Sequence, residues 1–326
     1  MGATLITGGA GYIGSHVAWA FADAGREVTI VDNLSTGKRE AAPPTADLHV
    51  FDLADTARLS ELFARGAIES VIHMAGSIVV PESVTDPLTY YANNTANSIS
   101  LFREALRHGV KRFVFSSTAA VYAPTQKMVV SEADALGPLS PYGLSKLMVE
   151  QVLAHSATAY GLQYAALRYF NVAGADPLGR TGQSTPNATH LIKVATQTAL
   201  GQRPLLTIFG TDYDTPDGTC VRDFVHVSDL ADAHLAALKN LEASGESHVL
   251  NVGYGRGASV LEVVASLERV TGRRLPTKIG PRRAGDAPAL VADSSRIRRT
   301  LDWRPKFEAL DEIVAAAVAW EKSSAA

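Results

Sequence analysis

Along the first half of this 326-residue chain, short runs of β-branched and apolar residues alternate with stretches whose apolar positions recur at helical spacing. ATLIT, EVTIV, SVIHM, RFVFSS and YAALRYF have the composition of buried strands. Between them, IGSHVAWAFADAG, TARLSELFARG, LTYYANNTANSISLFREALRHG and YGLSKLMVEQVLAHSATAYG carry a helical apolar face, and each closes on a glycine suited to stop a helix. Strands alternating with helices predict a parallel sheet covered on both faces, an α/β doubly wound architecture.

After RYFNVAGAD the rhythm changes. A stretch rich in Gly, Pro, Asn and Thr, from about Asp176 to Thr189, leads into shorter and more mixed elements. The expected division is a nucleotide-binding domain over 1–172 and a smaller mixed α/β substrate lobe over 173–326. LNVG at 250–253 still has the character of a buried strand, so the second lobe is expected to hand elements back to the first.

Composition narrows the function classes. Apolar residues make up 46% and charged residues 19%, ordinary globular values, and the net charge of -3 gives no footprint for nucleic acid. The basic cluster Arg296 to Arg299 reads as the solvated face of a helix. Cys220 is the only cysteine, so neither an internal disulfide nor a cysteine metal cluster is available, and no metal site is expected. No apolar run reaches membrane-span length, and the opening MGATLITGG moves into a strand without a charged leader. Ile6 stands where N-myristoylation needs Ser or Thr. A reduced, cytoplasmic protein is the expectation.

The first candidate for chemistry is TLITGGAGYIGSH, a strand, a glycine-rich turn and a helix start in succession. Gly9, Gly11 and Gly14 fit one dinucleotide spacing, and Gly8, Gly11 and Gly14 fit a looser one. Either bares backbone N–H groups to a pyrophosphate at the positive end of a helix, the Rossmann arrangement. Asp32 ends the second strand, where a carboxylate can bond both ribose hydroxyls of an adenosine, which favours NAD over NADP. Lys38 and Arg39 keep NADP in view. Asp52, after a third strand-like run, is placed either at an adenine edge or as a helix cap.

The second candidate is YGLSK at 142–146. Tyr142 and Lys146 stand about one helical turn apart, so a phenol and an ammonium share one helix face. A cation there favours the phenolate, which lets a tyrosine accept a proton; the bland alternative is an exposed helix face.

These segments, with VDNLSTG, HMAGS, NNTANS, FSSTAAVY, RYFNVAGA, DGTCVRDFVHVSDLADAH and RRAGDAPALVADSS in the same order, resemble the extended short-chain dehydrogenases over nearly the whole chain, specifically the UDP-glucose 4-epimerases. The resemblance implies Tyr142 as base, Lys146 holding the nicotinamide ribose and lowering the phenol's pKa, and Thr118 bonding the reacting hydroxyl. It places NAD on Gly8, Gly11, Tyr12, Ile13, Gly14, Asp32, Asn33, Asp52, Leu53, Ala75, Asn94, Tyr142 and Lys146. It places the UDP-hexose on Thr118, Tyr142, Asn171, His190, Leu191, Phe209, Arg222, Arg283, Asp286 and Leu290. The two arginines would share the pyrophosphate, Phe209 would stack on uracil and Asp286 would meet a ribose. The implied reaction is oxidation at carbon 4 of the hexose, rotation of the 4-keto sugar, and reduction from its other face. A homodimer joined through two helices per subunit is also implied, for which the helices over 93–107 and 146–160 could serve, although their apolar stripes can equally face the sheet.

Three departures from the family pattern stand out. Ile78 replaces a lysine near the cofactor, His190 replaces an asparagine and makes a phosphate contact pH-sensitive, and Leu290 replaces a bulky tyrosine. The last implies a roomier pocket that admits N-acetylhexosamines. Ala119 and Ala120 stand where a sugar-nucleotide 4,6-dehydratase needs an Asp-Glu pair, which counts against that rival. A non-catalytic NAD-sensing protein on the same fold has little need of the Tyr142 and Lys146 pair. An ordinary dehydrogenase would release NADH.

Overall fold

The computed structural model describes residues 2–186, 188–283 and 286–324. Its centre is a seven-stranded sheet with every neighbouring pair parallel. In chain order it takes β1 (Ala3–Thr7), β2 (Val28–Asp32), β3 (Asp47–Val50), β4 (Ile68–His73) and β5 (Arg112–Thr118). After a short strand elsewhere, β6 (Val129–Val130), it takes β7 (Gln163–Tyr169). The seventh member comes from far downstream: after β8 (Asn171–Ala173), β9 (Leu206–Phe209) and β10 (Val221–His226), the strand β11 (His248–Val252) pairs with β7. LNVG thus belongs to this sheet, and the two halves of the chain are interleaved. The spatial order is β11-β7-β5-β4-β1-β2-β3, so the direction of winding reverses between β1 and β4. A ligand crevice is expected outside the carboxyl ends of these two strands.

The helices are α1 (Tyr12–Asp23), α2 (Thr56–Ala64), α3 (Val80–Thr85), α4 (Pro87–Tyr90), α5 (Asn97–Arg107) and α6 (Pro141–Tyr160). Downstream lie α7 (Leu191–Ala199), α8 (Val227–Ser244), α9 (Val260–Thr271), α10 (Ser295–Leu301) and α11 (Leu310–Ser324). One apolar cluster, with Ile6, Phe21, Leu230 and Leu238, fills one face of the large sheet; another, with Leu5, Phe63, Phe113 and Leu153, fills the other. The expected glycine stops hold: Gly25, Gly66, Gly109 and Gly161 all have φ between 68° and 82°. The long helix expected over 88–109 is interrupted, because residues Tyr91–Ala96 form a π turn between α4 and α5. Such a turn widens the helix and is a common way of aiming one side chain inward.

The smaller lobe is a mixed sheet in which β10 lies between β12 (Gly257–Ser259) and β14 (Ala289–Ala292), with β8 and β6 joined to it. Beside it, β9 and β13 (Thr277–Gly280) make a parallel ribbon. Among the described residues no helix is long and apolar enough to cross a membrane. The apolar stripes of α5 and α6 do face the sheet, through Leu101, Phe102, Val149 and Leu153, while Ile99 and Tyr160 point outward.

Candidate active site

The glycine turn between β1 and α1 is closed by backbone contacts that admit no side chain. A Cβ on Gly14 would lie 2.0 Å from the Gly8 carbonyl oxygen, and one on Gly8 would lie 2.8 Å from the Ala75 nitrogen at the end of β4. Gly8 also has φ of 70°, a region that favours glycine. The expectation that Gly11 bares its N–H needs correction: that group donates to the Gly8 carbonyl at 3.1 Å. The open donors at this end of α1 are the first-turn N–H groups of Tyr12 and Ile13, which lack partners within the helix. Tyr12 also donates its hydroxyl to the Gly174 carbonyl at 2.8 Å, tying this turn to the segment just after β8.

Asp32 is buried at the end of β2. Its two oxygens accept from the N–H groups of Ala10 at 2.9 Å and Leu34 at 2.8 Å, so one carboxylate fixes both the glycine turn and the bend after β2. Asn33 is exposed and donates to Asp52 at 2.7 Å. The helix-cap alternative for Asp52 fails, because Asp55 caps α2 by accepting from Arg58 N. Asp52 is left with Asn33 and Ala54 N on the rim of the crevice. Leu53 is buried in the apolar core beside Phe51, so its side chain is not a free contact surface. Ile78, at the position expected to lack a charge, is exposed.

Asn94 enters the site from the π turn. Its amide accepts from Ser77 N at 2.7 Å and donates to Ser145 Oγ of α6 at 3.0 Å. Gly76 completes the corner, where a Cβ would lie 2.9 Å from Asn94 Oδ1 and 3.4 Å from Lys146 Nζ.

Ser140 and Pro141 start α6, with Ser140 Oγ accepting from Gly143 N. One turn of that helix then brings Tyr142 and Lys146 to the end of β5, and both side chains are buried. Lys146 donates to the Ser116 carbonyl at 3.1 Å, and its Nζ lies 5.1 Å from the centre of the Phe115 ring. The Thr118 hydroxyl is the polar neighbour of the Tyr142 phenol. Burial raises the phenol's pKa above its ordinary value, and the Thr118 hydroxyl pulls it back. Burial lowers the Lys146 ammonium to about 8. Lys146 is not among the groups that lower the phenol here, and the expected lowering is one that Lys146 shares with a positive nicotinamide ring.

Tyr169, which pattern reading did not single out, stands opposite Thr118 across β5 and β7. Burial and the neighbouring Tyr142 raise its pKa, against a smaller lowering by Ser116. The signal for it was inside RYFN, one residue before the phenylalanine.

On the other wall, Asn171 opens β8 and is exposed, paired in register with Phe224. His190 precedes α7, and Leu191 begins it, half-buried against the core. His190 is exposed as a residue, while desolvation of its ring lowers its pKa, and Gln183 Nε2 faces its Nδ1 at 3.4 Å. Arg222 lies in register with Leu290 across β10 and β14 and reaches Asp286 at 3.5 Å. Arg283 covers Phe209, which ends β9. The Asp286 N–H meets the Arg283 carbonyl at 3.3 Å, so both arginines bracket one loop. Leu290 is half-buried against a cluster that contains Tyr122, Leu147 and Phe170. A separate cavity of about 20 Å³ lies behind this wall, between Tyr12, Gly174, His190 and Trp320, and is too small for a sugar.

The arrangement unites a dinucleotide-type glycine turn, a buried Tyr-Lys-Thr group at the carboxyl end of a parallel sheet, and a wall with two arginines. Comparison with known proteins gives concordant results. The sequence model of the NAD dependent epimerase/dehydratase family matches residues 4–253. The chain is 56% identical to the UDP-glucose 4-epimerase of Azospirillum brasilense, over 98% of this chain and 92% of the relative. It is similar in structure to UDP-glucose 4-epimerase from Brucella ovis in complex with NAD, with a TM-score of 0.94, 42% identity and 98% of each chain covered. It is likewise similar to the enzyme from Bifidobacterium longum in complex with NAD+ and UDP, with a TM-score of 0.94, 35% identity and 99% of each chain covered.

Proposed function

The chain belongs to the NAD dependent epimerase/dehydratase family, and from that premise we propose that it interconverts UDP-glucose and UDP-galactose by reversible oxidation at carbon 4 of the hexose, through a 4-keto sugar. The observation that carries this is the buried Tyr142, with Thr118 as its polar neighbour and Lys146 on the same helix face, at the carboxyl end of β5.

The glycine turn fits a dinucleotide. Its contacts exclude any Cβ at Gly8 and Gly14, Asp32 stands at the end of β2, and Gly76 leaves room beside Asn94 and Lys146. Tyr12, Ile13 and Ala75 border the same turn, and Asn33, Asp52 and the Leu53 backbone border the adenine end. When bound there, NAD supplies the acceptor and donor of the hydride at carbon 4.

Within this reading Tyr142 takes the proton of the 4-hydroxyl and returns it after the sugar has turned. Thr118 holds that hydroxyl, and Lys146 and Asn94 orient the ribose and ring beside it. The sugar has to rotate while the nucleotide stays in place, so binding strength has to sit away from the hexose. Asn171, His190, Leu191, Phe209, Arg222, Arg283 and Asp286 are the groups assigned to the UDP. Leu290 is assigned to the sugar pocket, where a side chain smaller than tyrosine supports turnover of UDP-N-acetylhexosamines as well. Ala119 and Ala120, in the turn after β5, offer no acid or base for a dehydratase.

The protein is assigned to the cytoplasm on its single, buried and unpaired Cys220. It is assigned as a homodimer on the outward Ile99 and Tyr160 of α5 and α6. Purified protein given UDP-galactose with no added nicotinamide is expected to form UDP-glucose without net NADH, and denatured protein is expected to release NAD. Failure to form UDP-glucose would reject the assignment, and accumulating NADH would make the protein a dehydrogenase. Sedimentation at micromolar concentration checks the dimer, and UDP-N-acetylglucosamine checks the wider pocket.

A further inference from the structure

Tyr142 and Lys146 share their face of α6 with a third polar residue. Glu150 follows Lys146 at the spacing by which Lys146 follows Tyr142, so the three stand in a row, one helical turn apart. Glu150 is only 5% exposed and Arg168 of β7 only 3%. The guanidinium grips the carboxylate through two nitrogens, with Nη2 to Oε2 at 2.6 Å and Nε to Oε1 at 3.0 Å. Ser117 of β5 donates its hydroxyl to the same carboxylate. From Arg168 the network continues to Tyr122 at 3.2 Å and from Tyr122 to Asn251 at 2.6 Å.

Strand β5 therefore meets α6 at three successive residues. The Ser116 carbonyl accepts from Lys146, the Ser117 hydroxyl donates to Glu150, and the Thr118 hydroxyl neighbours the Tyr142 phenol. A slide or rotation of α6 would break all three together. Stability alone does not account for such a pair, because two buried charges pay heavy desolvation and apolar residues of similar size are often as stable. What a fork-shaped ion pair supplies and apolar packing does not is a fixed direction and register.

We propose that Glu150 is a positioning residue, whose clamp on Arg168 and hydrogen bond from Ser117 set the register of α6 on β5 and so the placement of Tyr142 against Thr118. The proposal rests on the Tyr142 chemistry assigned above. Glu150 touches none of the groups assigned to UDP, so its loss acts on the chemical step and leaves nucleotide binding alone.

The test uses Glu150→Gln and the double variant Glu150→Leu with Arg168→Met, assayed with whichever UDP-sugar the wild type turns over. Displacement of reacting groups by about 1 Å can cost about 100-fold, so kcat is expected to fall by that order in both variants, with KM within about threefold. Glu150→Gln leaves a buried guanidinium unpaired and lowers the melting temperature, and the double variant restores it. A double variant that recovers kcat together with stability would overturn the proposal, since the pair would then be merely structural. So would a folded Glu150→Gln with wild-type kcat. If neither folds, Ser117→Ala decides, because it removes one hydrogen bond and no charge: a reduced kcat at unchanged KM supports the clamp, and an unchanged kcat overturns it. A wild type inactive on UDP-galactose counts against the epimerase reading, whereas an active wild type with equally active variants counts against the clamp alone.

Discussion

The guanidinium of Arg283 lies over the ring of Phe209, 4.0 Å from its centroid. The ring is fixed by the β9 and β13 ribbon, where Phe209 is in register with Gly280, and the cation comes from the loop that follows β13. Arg222 is likewise engaged within the protein, by Asp286. Both contacts are weaker than a guanidinium gripping a diphosphate through paired hydrogen bonds, so a UDP-sugar is expected to draw both arginines away. Arg283→Ala should therefore raise KM for UDP-galactose by about tenfold or more, equivalent to about 1.4 kcal/mol, and leave kcat within about threefold. Steady-state kinetics with UDP as competitor check this, and an unchanged KM removes Arg283 from the nucleotide site.

The Tyr142 phenol starts from an unfavourable position for a base, because burial pushes it above its ordinary value of about 10 and only Thr118 draws it back. A base acts when deprotonated, so the rate should rise with pH. Lys146, lowered to about 8, loses its charge as pH passes that value and with it part of the support for the phenolate. Lys146→Met should remove that support at every pH, cut kcat at pH 7 by about 100-fold or more and move the rising limb upward. Tyr142→Phe should abolish turnover while UDP still binds. A Lys146→Met profile superimposable on the wild type would show that the ammonium has no part in activating Tyr142.

Much of this was readable from residue order because it is local. The strand-turn-helix around Gly8 to Gly14, the Tyr142 and Lys146 face and the glycine stops are each fixed by a few neighbouring residues. The π turn was not, since LTYYANNTANSISLFREALRHG keeps a helical apolar rhythm throughout. What widens the helix is a tertiary demand, the bonds of Asn94 to Ser77 and Ser145. The role of Asp52 depended on which of two nearby aspartates meets the helix, and one extra turn of chain gave the cap to Asp55. The Glu150 and Arg168 pair and the place of Tyr169 needed the register of β5 against β7, which no short window encodes. The smaller sheet was illegible for the same reason: β8, β12 and β14 are three or four residues long and pair with β10 across large separations in sequence.

Four buried histidines make stability acid-sensitive. Desolvation lowers His16, His226 and His234 to about 4 and His73 to about 3. Unfolded, each titrates near 6.5. Between these values the unfolded chain binds more protons than the native one, so stability falls as pH falls below about 6.5 and the loss continues to about 4 or 3. Urea midpoints at pH 7.5, 6.5 and 5.5 should decline most steeply across the last interval, above the range where ordinary carboxylates titrate. Equal midpoints at pH 6.5 and 5.5 would mean that these rings accept protons without unfolding. His234→Gln, if it folds, should make the decline shallower.

The glycine turn separates a steric requirement from a ligand requirement. At Gly14 an added methyl would strike backbone on three sides, 2.0 Å from the Gly8 carbonyl oxygen, 2.8 Å from its carbon and 3.0 Å from Gly9 Cα, none of which can swing aside. At Gly11 the nearest atom would be that same oxygen at 3.3 Å, and the backbone there is extended with φ of -77°. Gly14→Ala should destabilise the protein by about 1–3 kcal/mol through overpacking, and lose NAD because the turn opens. Gly11→Ala should keep its melting temperature within a few degrees of the wild type and still lose NAD, because the methyl stands where the pyrophosphate must approach the first turn of α1. Thermal melts alongside the nicotinamide released on denaturation distinguish the two, and a Gly11→Ala protein that retains full NAD content would place the pyrophosphate elsewhere on the turn.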